Sequence, residues 1–504
     1  MDGDVLAAAI AFRLVNALAT KTYFQPDEFW QSLEPAHELV YGHGYLTWEW
    51  RIPLRSIAHP ALFALVYWLA DALGLQYAGV LYGPKVFQAL CAAVGDWAVH
   101  RLARRWYGPA VARTALAVSL ASAWNWHMAV RTFSNSLETT LFACALCWWP
   151  DAAGRGRLAP ALTLAALACV LRPTNVLAWI YLGGALVART ITRGGAAAGA
   201  RVAVTAAAIG GAVVLANTVL DMWYYRGLVF PLWNFLQFNV IESLSSFYGT
   251  SSTLFYAVVA LPLMLIVFLP WAVHGWALAA GDDAARAAVF VVAVYSLIQH
   301  KEVRFVYPLL PVLHVYAARS IEVLNAARRR VPRRAVFALA LAVHVPLALY
   351  ASLVHQRGVV DVAEYVHRAV PAHGSVFFLM PCHSTPWQSH FHRRDIDIRF
   401  LTCEPPIGLK EPERSVYRDE ADEFYDAPSE FLAARFSAAP PAIGLVQPWP
   451  THLIFFAALE PTIGPQLAGR YTECARFFNS HVHDDPRRRG DVLVYCATGA
   501  EASA

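Results

Sequence analysis

Apolar runs long enough to form membrane helices alternate with short polar breaks through the first 354 residues, and then stop. The first run, 4–20, carries Arg13 and Asn16 and is not followed by a small-residue cleavage site before Lys21, so it reads as a transmembrane helix and not a removed leader. Further runs lie at about 60–80, 84–103, 110–128, 136–150, 158–171, 174–190, 200–221, 255–275, 284–300, 304–324 and 334–354. Several are shorter than the roughly 20 residues a crossing needs, so the pattern predicts about 11 to 13 transmembrane helices.

Basic clusters at Arg155 and Arg157, at Arg189, Arg193 and Arg201, and at Arg328, Arg329, Arg330, Arg333 and Arg334 mark cytoplasmic loops by the positive-inside rule. The last cluster sends the run after 334 outward, so everything past 355 emerges on the luminal side. A cytoplasmic amino end then requires an odd number of crossings. One of the twelve runs is therefore false, split or merged, and the short ones between 136 and 190 are the weakest.

Beyond Leu353 the pattern changes. Residues 355–504 are rich in Asp, Glu, His and Pro, with short apolar runs at Ser375–Met380, His452–Phe456 and Asp491–Tyr495 between Pro- and Gly-marked turns. These predict strands of a small luminal α/β domain. The organisation expected is a transmembrane module, 1–354, including a luminal loop at 21–59, and a soluble luminal domain, 355–504. Cys382, Cys403, Cys474 and Cys496 fall in the latter, where an oxidising compartment permits disulfides. Four cysteines allow three connectivities, and proximity favours Cys382 with Cys403 and Cys474 with Cys496. Cys91, Cys144, Cys147 and Cys169 lie in apolar runs and read as small hydrophobes.

Composition agrees with a membrane protein. The 504 residues are 57% hydrophobic with mean hydropathy +0.40, and only 15% are charged, against about 25% in soluble domains. The formal charge of +4 does not indicate a nucleic-acid partner, because the basic residues are scattered arginines; only Lys21, Lys85, Lys301 and Lys410 are lysines. No repeat, phosphate-cradling glycine loop or Cys-x-x-Cys pair rises above background. Chemistry is therefore sought among polar residues beside the apolar runs, where they are costly and tend to mark a site.

The stretch 22–60 is the richest. Asp27 and Glu28 follow the first run and are surrounded by Phe24, Phe29, Trp30, Tyr41, Tyr45, Trp48 and Trp50. An adjacent acid pair is also compatible with a solvated loop, and the rings with an interfacial belt. A carboxylate base, rings able to stack on sugar, and His37, Arg51, Arg55 and His59 nonetheless suit group transfer between lipid-anchored substrates. Trp30, Gln31, His37, Trp48 and Glu49 are the candidate sugar contacts. A helix beginning near Pro26 would turn His37 outward on the same face.

Three more constellations follow. In Arg131-Thr-Phe-Ser-Asn-Ser-Leu-Glu138, Arg131 and Glu138 either pair with each other or serve a site. Arg172 and Asn175, in LRPTN, either anchor a cytoplasmic end or do likewise. His300-Lys-Glu-Val-Arg304 offers a juxtamembrane anchor or a phosphate clamp built from Lys301, Arg304, His300 and Arg131, since arginine bonds phosphate bidentately and lysine gives a point charge. Pro381-Cys-His-Ser-Thr-Pro-Trp-Gln-Ser-His-Phe-His392, with Cys403, invites zinc, but the spacing matches no common zinc pattern and a disulfide would use the same cysteines. No metal is assigned.

These residues resemble a known family. PDEFWQSLEPAHELVYGHGYLTWEW, RSIAHP, RTFSNSLET, LRPTN, WNFLQFNV, FYGT, HKEVRFVYPLLP, VHQRG, MPCHSTPWQSH, RFLTCEPP and DEADEFY, spread from Tyr23 to Tyr495, are similar to motifs of the glycosyltransferase family 22 mannosyltransferases of glycosylphosphatidylinositol (GPI) anchor synthesis. The resemblance implies an α-helical polytopic membrane protein of GT-C type. It also implies α-1,2 transfer of mannose from dolichyl-phosphate mannose to the second mannose of the lipid-linked GPI precursor in the endoplasmic reticulum lumen. A sugar hydroxyl nucleophile then needs a base, assigned to Asp27 with Glu28 orienting it or exchanging roles, and one displacement would invert the anomeric centre. Neither a cofactor nor a protein partner is implied. The chain departs from the family pattern at Ser251–Tyr256, where a His- and Trp-rich stretch is usual. Other readings are a sister transferase acting on an N-glycan precursor or adding the fourth anchor mannose, a lipid or solute transporter, and a non-catalytic assembly subunit.

Overall fold

The computed structural model describes residues 2–151, 153–238, 249–327, 333–409, 413–437 and 447–498. Arg328, Arg329, Arg330 and Lys410, with Phe247 and Tyr248 of FYGT and Asn239 and Val240 of WNFLQFNV, lie outside them. The chain forms two compact units, a helical one made of Met1–Thr20 and Glu49–Tyr350, and a mixed one made of Lys21–Trp48 and Ala351–Ala504. The loop that sequence grouping placed with the membrane module thus divides after Trp48. Its first 28 residues, Lys21–Trp48, belong to the same body as the carboxyl-terminal part.

Each of the twelve apolar runs is largely helical. Asp2–Ala19, Ala58–Ala72, Gln76–Tyr107, Ser134–Trp148 and Leu158–Leu171 are single helices. The run at 110–128 breaks at Ser122, whose side chain caps Ala123–Met128. The runs at 174–190 and 200–221 join as Val176–Tyr225, interrupted only at Gly195 (φ 78°), a left-handed conformation that glycine adopts without steric cost. Among the described residues, three segments are long and apolar enough to cross a membrane: Pro173–Tyr225, Tyr256–Leu278 and Arg333–Ala369. Helices Leu269–Leu278 and Leu310–Ala326 approach so closely that a Cβ on Gly275 would lie 1.8 Å from the Tyr316 carbonyl oxygen.

The first helix is fixed by a charge it could not otherwise bury. Arg13, fully buried, donates to both Asp96 oxygens at 2.6 and 3.0 Å, to Asn16 at 2.9 Å and to the Asn125 carbonyl at 3.2 Å. Ser119 bonds the same carboxylate at 2.7 Å, and the Tyr307 hydroxyl reaches Asn125 at 2.8 Å. At one end of the unit, Arg105 bonds the Cys147 and Trp149 carbonyls, Arg155 pairs with Asp151, Arg189 pairs with Asp283, and Tyr107 bonds Asp282. Arg189 also donates to the Pro150 carbonyl at 3.3 Å, which brings two of the basic clusters read as sharing a side next to each other.

In the mixed unit, strands β1 (Ser375–Phe378), β2 (Asp397–Phe400), β3 (His452–Phe456), β4 (Tyr471–Phe477) and β5 (Val492–Ala497) form a sheet ordered β2-β1-β3-β5-β4. β1 pairs parallel with β2 and β3, and β5 pairs antiparallel with β3 and β4. The central β3 is buried along its whole length, and Leu453 and Phe455 join Phe424, Leu432, Ile463 and Leu493 in one core. Cys382 is bonded to Cys403 and Cys474 to Cys496, each with Cα atoms 5.8 Å apart.

Removing Arg13 would leave Asp96 a buried charge without its cation. Arg13→Ala is expected to cost about 3–5 kcal/mol, and Arg13→Met with Asp96→Leu to regain much of it. Thermal unfolding of the full chain in detergent checks this; equal melting of Arg13→Ala and the parent would show that the pair does not hold the helix.

Candidate active site

In the mixed unit the acid pair opens a helix. Pro26 starts the first turn, where its missing N–H is no loss, and its carbonyl accepts from Phe29 and Trp30 at 2.9 Å each. Phe29–Leu33 is a π-helical turn leading into the α-helix Glu34–Tyr41. An undisturbed α-helix brings residues seven apart onto one face; the extra residue of a π-turn rotates what precedes it by about 100°. Asp27 accordingly leaves the face on which Glu34 is buried. Asp27 is partly exposed, whereas Glu28 is 8% and Glu34 2% exposed.

The receptacle for this helix is the Cys- and His-bearing motif. Glu34 Oε1 accepts from the Trp387 N–H at 3.0 Å, and both its oxygens accept from the Ser389 N–H at 3.2 Å. Burial pushes this carboxyl up to about 7 against those bonds. Trp30 donates to the Thr385 carbonyl at 3.1 Å, and its ring packs on His383, Trp387 and Phe400 with centroids 4.5–5.7 Å away. Tyr23 donates to the His383 carbonyl at 2.5 Å. Trp30 and Trp48 are 3% and 6% exposed, core positions and not open sugar platforms. His37 is not turned outward either. It is fully buried, its Nε2 lies 2.9 Å from His392 Nδ1 and its Nδ1 3.2 Å from the His43 carbonyl. Burial, with the neighbouring His392 and His43, brings its pKa down to about 3.

Cys382, His383 and Cys403 do gather, with their potential ligand atoms within 4.8 Å of one another, but the two sulfurs are joined in a disulfide and offer no thiolate. The electrostatic surroundings of His383 include Asp27 and Arg488, and burial lowers its pKa to about 4. Arg488, which no sequence motif singled out, is thus a cation in the neighbourhood of the acid pair.

In the helical unit, three separately read motifs converge. Glu138 accepts from Asn175 at 2.7 Å and from Asn135 at 3.2 Å, while Asn135 also reaches the Arg304 carbonyl at 3.5 Å. Arg131, expected to pair with Glu138 or to serve a site, bonds the His127 carbonyl at 3.0 Å. Arg304 forks onto Glu302 at 2.7 and 3.0 Å. Lys301 donates to the Ser251 carbonyl at 3.0 Å, and His300 Nδ1 and Nε2 lie 3.0 Å from the Gly249 carbonyl and 3.3 Å from Glu302. The departure at Ser251 is therefore stitched directly to the cationic motif.

The segment after Trp48 has its own clasp, which sequence reading missed. Asp221 accepts from Ser56, from the Ile57 N–H and from Asn217 at 2.8–2.9 Å, and Arg55 bonds Glu49 at 2.8 Å. The polar residues Asn217 and Asp221, four apart in an apolar helix, were its only signal. Arg172 caps the end of Leu158–Leu171 opposite Arg157. About 21 Å of helix separates the two, which removes the reading of both as anchors on one side.

For Glu34, His37 and His383, stability should follow pH in a defined way. Between about pH 4.5 and 6.5 the unfolded chain protonates both imidazoles, which the folded chain keeps neutral, while only the folded chain protonates Glu34. The unfolded state then holds one more proton, so these groups lose about 1.4 kcal/mol of stability per unit as pH falls through that window. His37→Asn should flatten the slope; unfolding curves of equal slope for variant and parent would contradict it.

Residues 5–392 match the sequence model of the Alg9-like mannosyltransferase family. GPI mannosyltransferase 3 of Yarrowia lipolytica is 47% identical, over 97% of this chain and 96% of that protein. The Candida albicans protein of the same name is 40% identical over 98% and 97%, and mannosyltransferase APTG1 of Arabidopsis thaliana 34% over 97% and 91%. Among solved structures, ArnT from Cupriavidus metallidurans bound to undecaprenyl phosphate matches with TM-score 0.63 at 13% identity, covering 99% of this chain and 98% of that one. The apo form matches at 0.57 and 14%, covering 99% and 97%.

Proposed function

The chain belongs to the Alg9-like mannosyltransferase family, and from that premise we propose that it transfers mannose from dolichyl-phosphate mannose, in α-1,2 linkage, to the second mannose of a GPI-anchor precursor at the luminal face of the endoplasmic reticulum membrane. That it is a mannosyltransferase of GT-C architecture follows from its relatives and its fold. The observation that carries the finer reading is the near full-length likeness to GPI mannosyltransferase 3 proteins.

The 2-hydroxyl oxygen of the acceptor mannose attacks C1 of the donor as the bond from C1 to the phosphate oxygen breaks. The hydroxyl proton passes to a carboxylate, and dolichyl phosphate leaves. A single displacement inverts the anomeric centre, turning a β donor into an α product. The nucleophile needs a base, and Asp27 takes that role because it is the more exposed of the pair, with buried Glu28 beside it. The leaving phosphate carries its own stable charge and needs cations more than a proton donor; Lys301, Arg304, His300 and Arg131 supply that charge, and the scheme uses no cofactor. Of the proposed acceptor contacts, Gln31 and Glu49 remain partly exposed, while Trp30, His37 and Trp48 hold the loop.

Asp27→Asn in the full chain should reduce transfer at least about a thousandfold, the loss of a base and its proton transfer, with unfolding temperature unchanged. Labelled donor and precursors bearing two or three mannoses test both role and step. Parent-level transfer by Asp27→Asn would remove the base, and labelling only of the three-mannose precursor would replace this step with addition of the fourth mannose.

A further inference from the structure

Among the cations of the helical unit, Arg172 stands apart. It is 7% exposed, and its guanidinium lies over the face of Phe305 at 5.6 Å. Among the described residues no carboxylate or hydrogen-bond acceptor stands within bonding distance of that guanidinium. Glu138 attracts it through space, but its oxygens are taken up by Asn175 and Asn135. Arg304 and Arg55 are close enough to repel it. His59 lies in the same neighbourhood, 5% exposed, with Nε2 buried and without a hydrogen-bond partner.

A buried guanidinium with five donors and no acceptor is costly, and further positive charge around it raises that cost. The arrangement becomes favourable when an anion enters, because planar guanidinium matches phosphate bidentately. The backbone helps. Arg172 sits immediately before Pro173–Asn175 and the long helix Val176–Tyr225, whose N-terminal N–H groups and dipole favour negative charge. Asn175 and Asn135 hold Glu138 away from the guanidinium and leave its fork open.

We propose that Arg172, with His59 beside it, is the primary contact for the phosphate of a polyprenyl lipid, and that Lys301 and Arg304, already bonded to the Ser251 carbonyl and to Glu302, supply supporting charge. This rests on the proposed use of a lipid-phosphate donor and names the residue that grips it. Arg172 is here a binding residue for the leaving group; Asp27 keeps the proton.

The test is binding by the full chain in nanodiscs, scored apart from transfer. Labelled dolichyl phosphate is titrated against the parent, Arg172→Gln and Arg172→Lys, with dolichol and inorganic phosphate as competitors. Arg172→Gln should weaken dolichyl phosphate binding at least tenfold and Arg172→Lys three- to tenfold, with dolichol competing poorly against either. Unchanged binding by a folded Arg172→Gln overturns the proposal; if that variant does not fold, unchanged binding by Arg172→Lys does so. Equal competition by inorganic phosphate and dolichyl phosphate would replace a lipid site with a general anion site and also overturn it. Tight, Arg172-dependent binding without mannose transfer to the precursor would instead leave this site standing and remove the donor–acceptor assignment.

Discussion

One buried carboxylate fixes where the acid pair of the first loop sits. Glu34 is enclosed, opposed by burial, and held only because backbone N–H groups of Trp387 and Ser389 point at it. A helix of eight residues has little stability of its own. Glu34–Tyr41 depends on that bond set, on Trp30 lodged among His383, Trp387 and Phe400, and on Tyr23 tied to the His383 carbonyl. Asp27 stands at the start of the same helix, beyond a π-turn that takes it off the buried face. Its exposure is thus a consequence of how Glu34 is satisfied.

This changes what the Cys- and His-rich motif means. Read alone, Pro381–His392 with Cys403 suggests metal ligands. In the fold its backbone receives Glu34, its rings receive Trp30, and the Cys382–Cys403 bond closes the loop that presents them. Most of the rings that the sequence offered as sugar platforms are the packing of this joint. The signal was present in part: an acid seven residues beyond Asp27, in an aromatic stretch, has to be satisfied somewhere. Which backbone would satisfy it, some 350 residues away, could not be read from local pattern.

The helical elements were legible because apolar runs bounded by Arg, Gly and Pro have local causes. The strands at 375–378 and 452–456 were legible for the same reason. Position of the polar groups was less so. Arg13 inside the first run looked like an oddity, and it is the arm of a pair with Asp96, 83 residues on. RTFSNSLE, LRPTN and HKEVRF were read as separate constellations, and in the fold they contribute residues to one cluster around Glu138. Pairings between distant segments decide these points, and a single sequence does not display them.

Several cations gathered in a low dielectric cannot all be left uncompensated, since like charges close together repel strongly. The helical unit divides the burden. Arg304 is neutralised by a fork onto Glu302, Arg55 by Glu49, and Lys301 is tied to a carbonyl. Glu138 is close enough to Arg172 to attract it, yet its oxygens are spoken for by two asparagines. The Arg172 guanidinium is thereby attracted by a carboxylate without being bonded to it. The long-range carboxylate lowers the cost of burying this charge, and on the proposed role the absence of a direct bond means that an arriving phosphate has no ion pair to break. The same logic explains why asparagines, and not further acids, surround Glu138: a second carboxylate would close Arg172 into a salt bridge, whereas an amide directs the first carboxylate without competing for the cation.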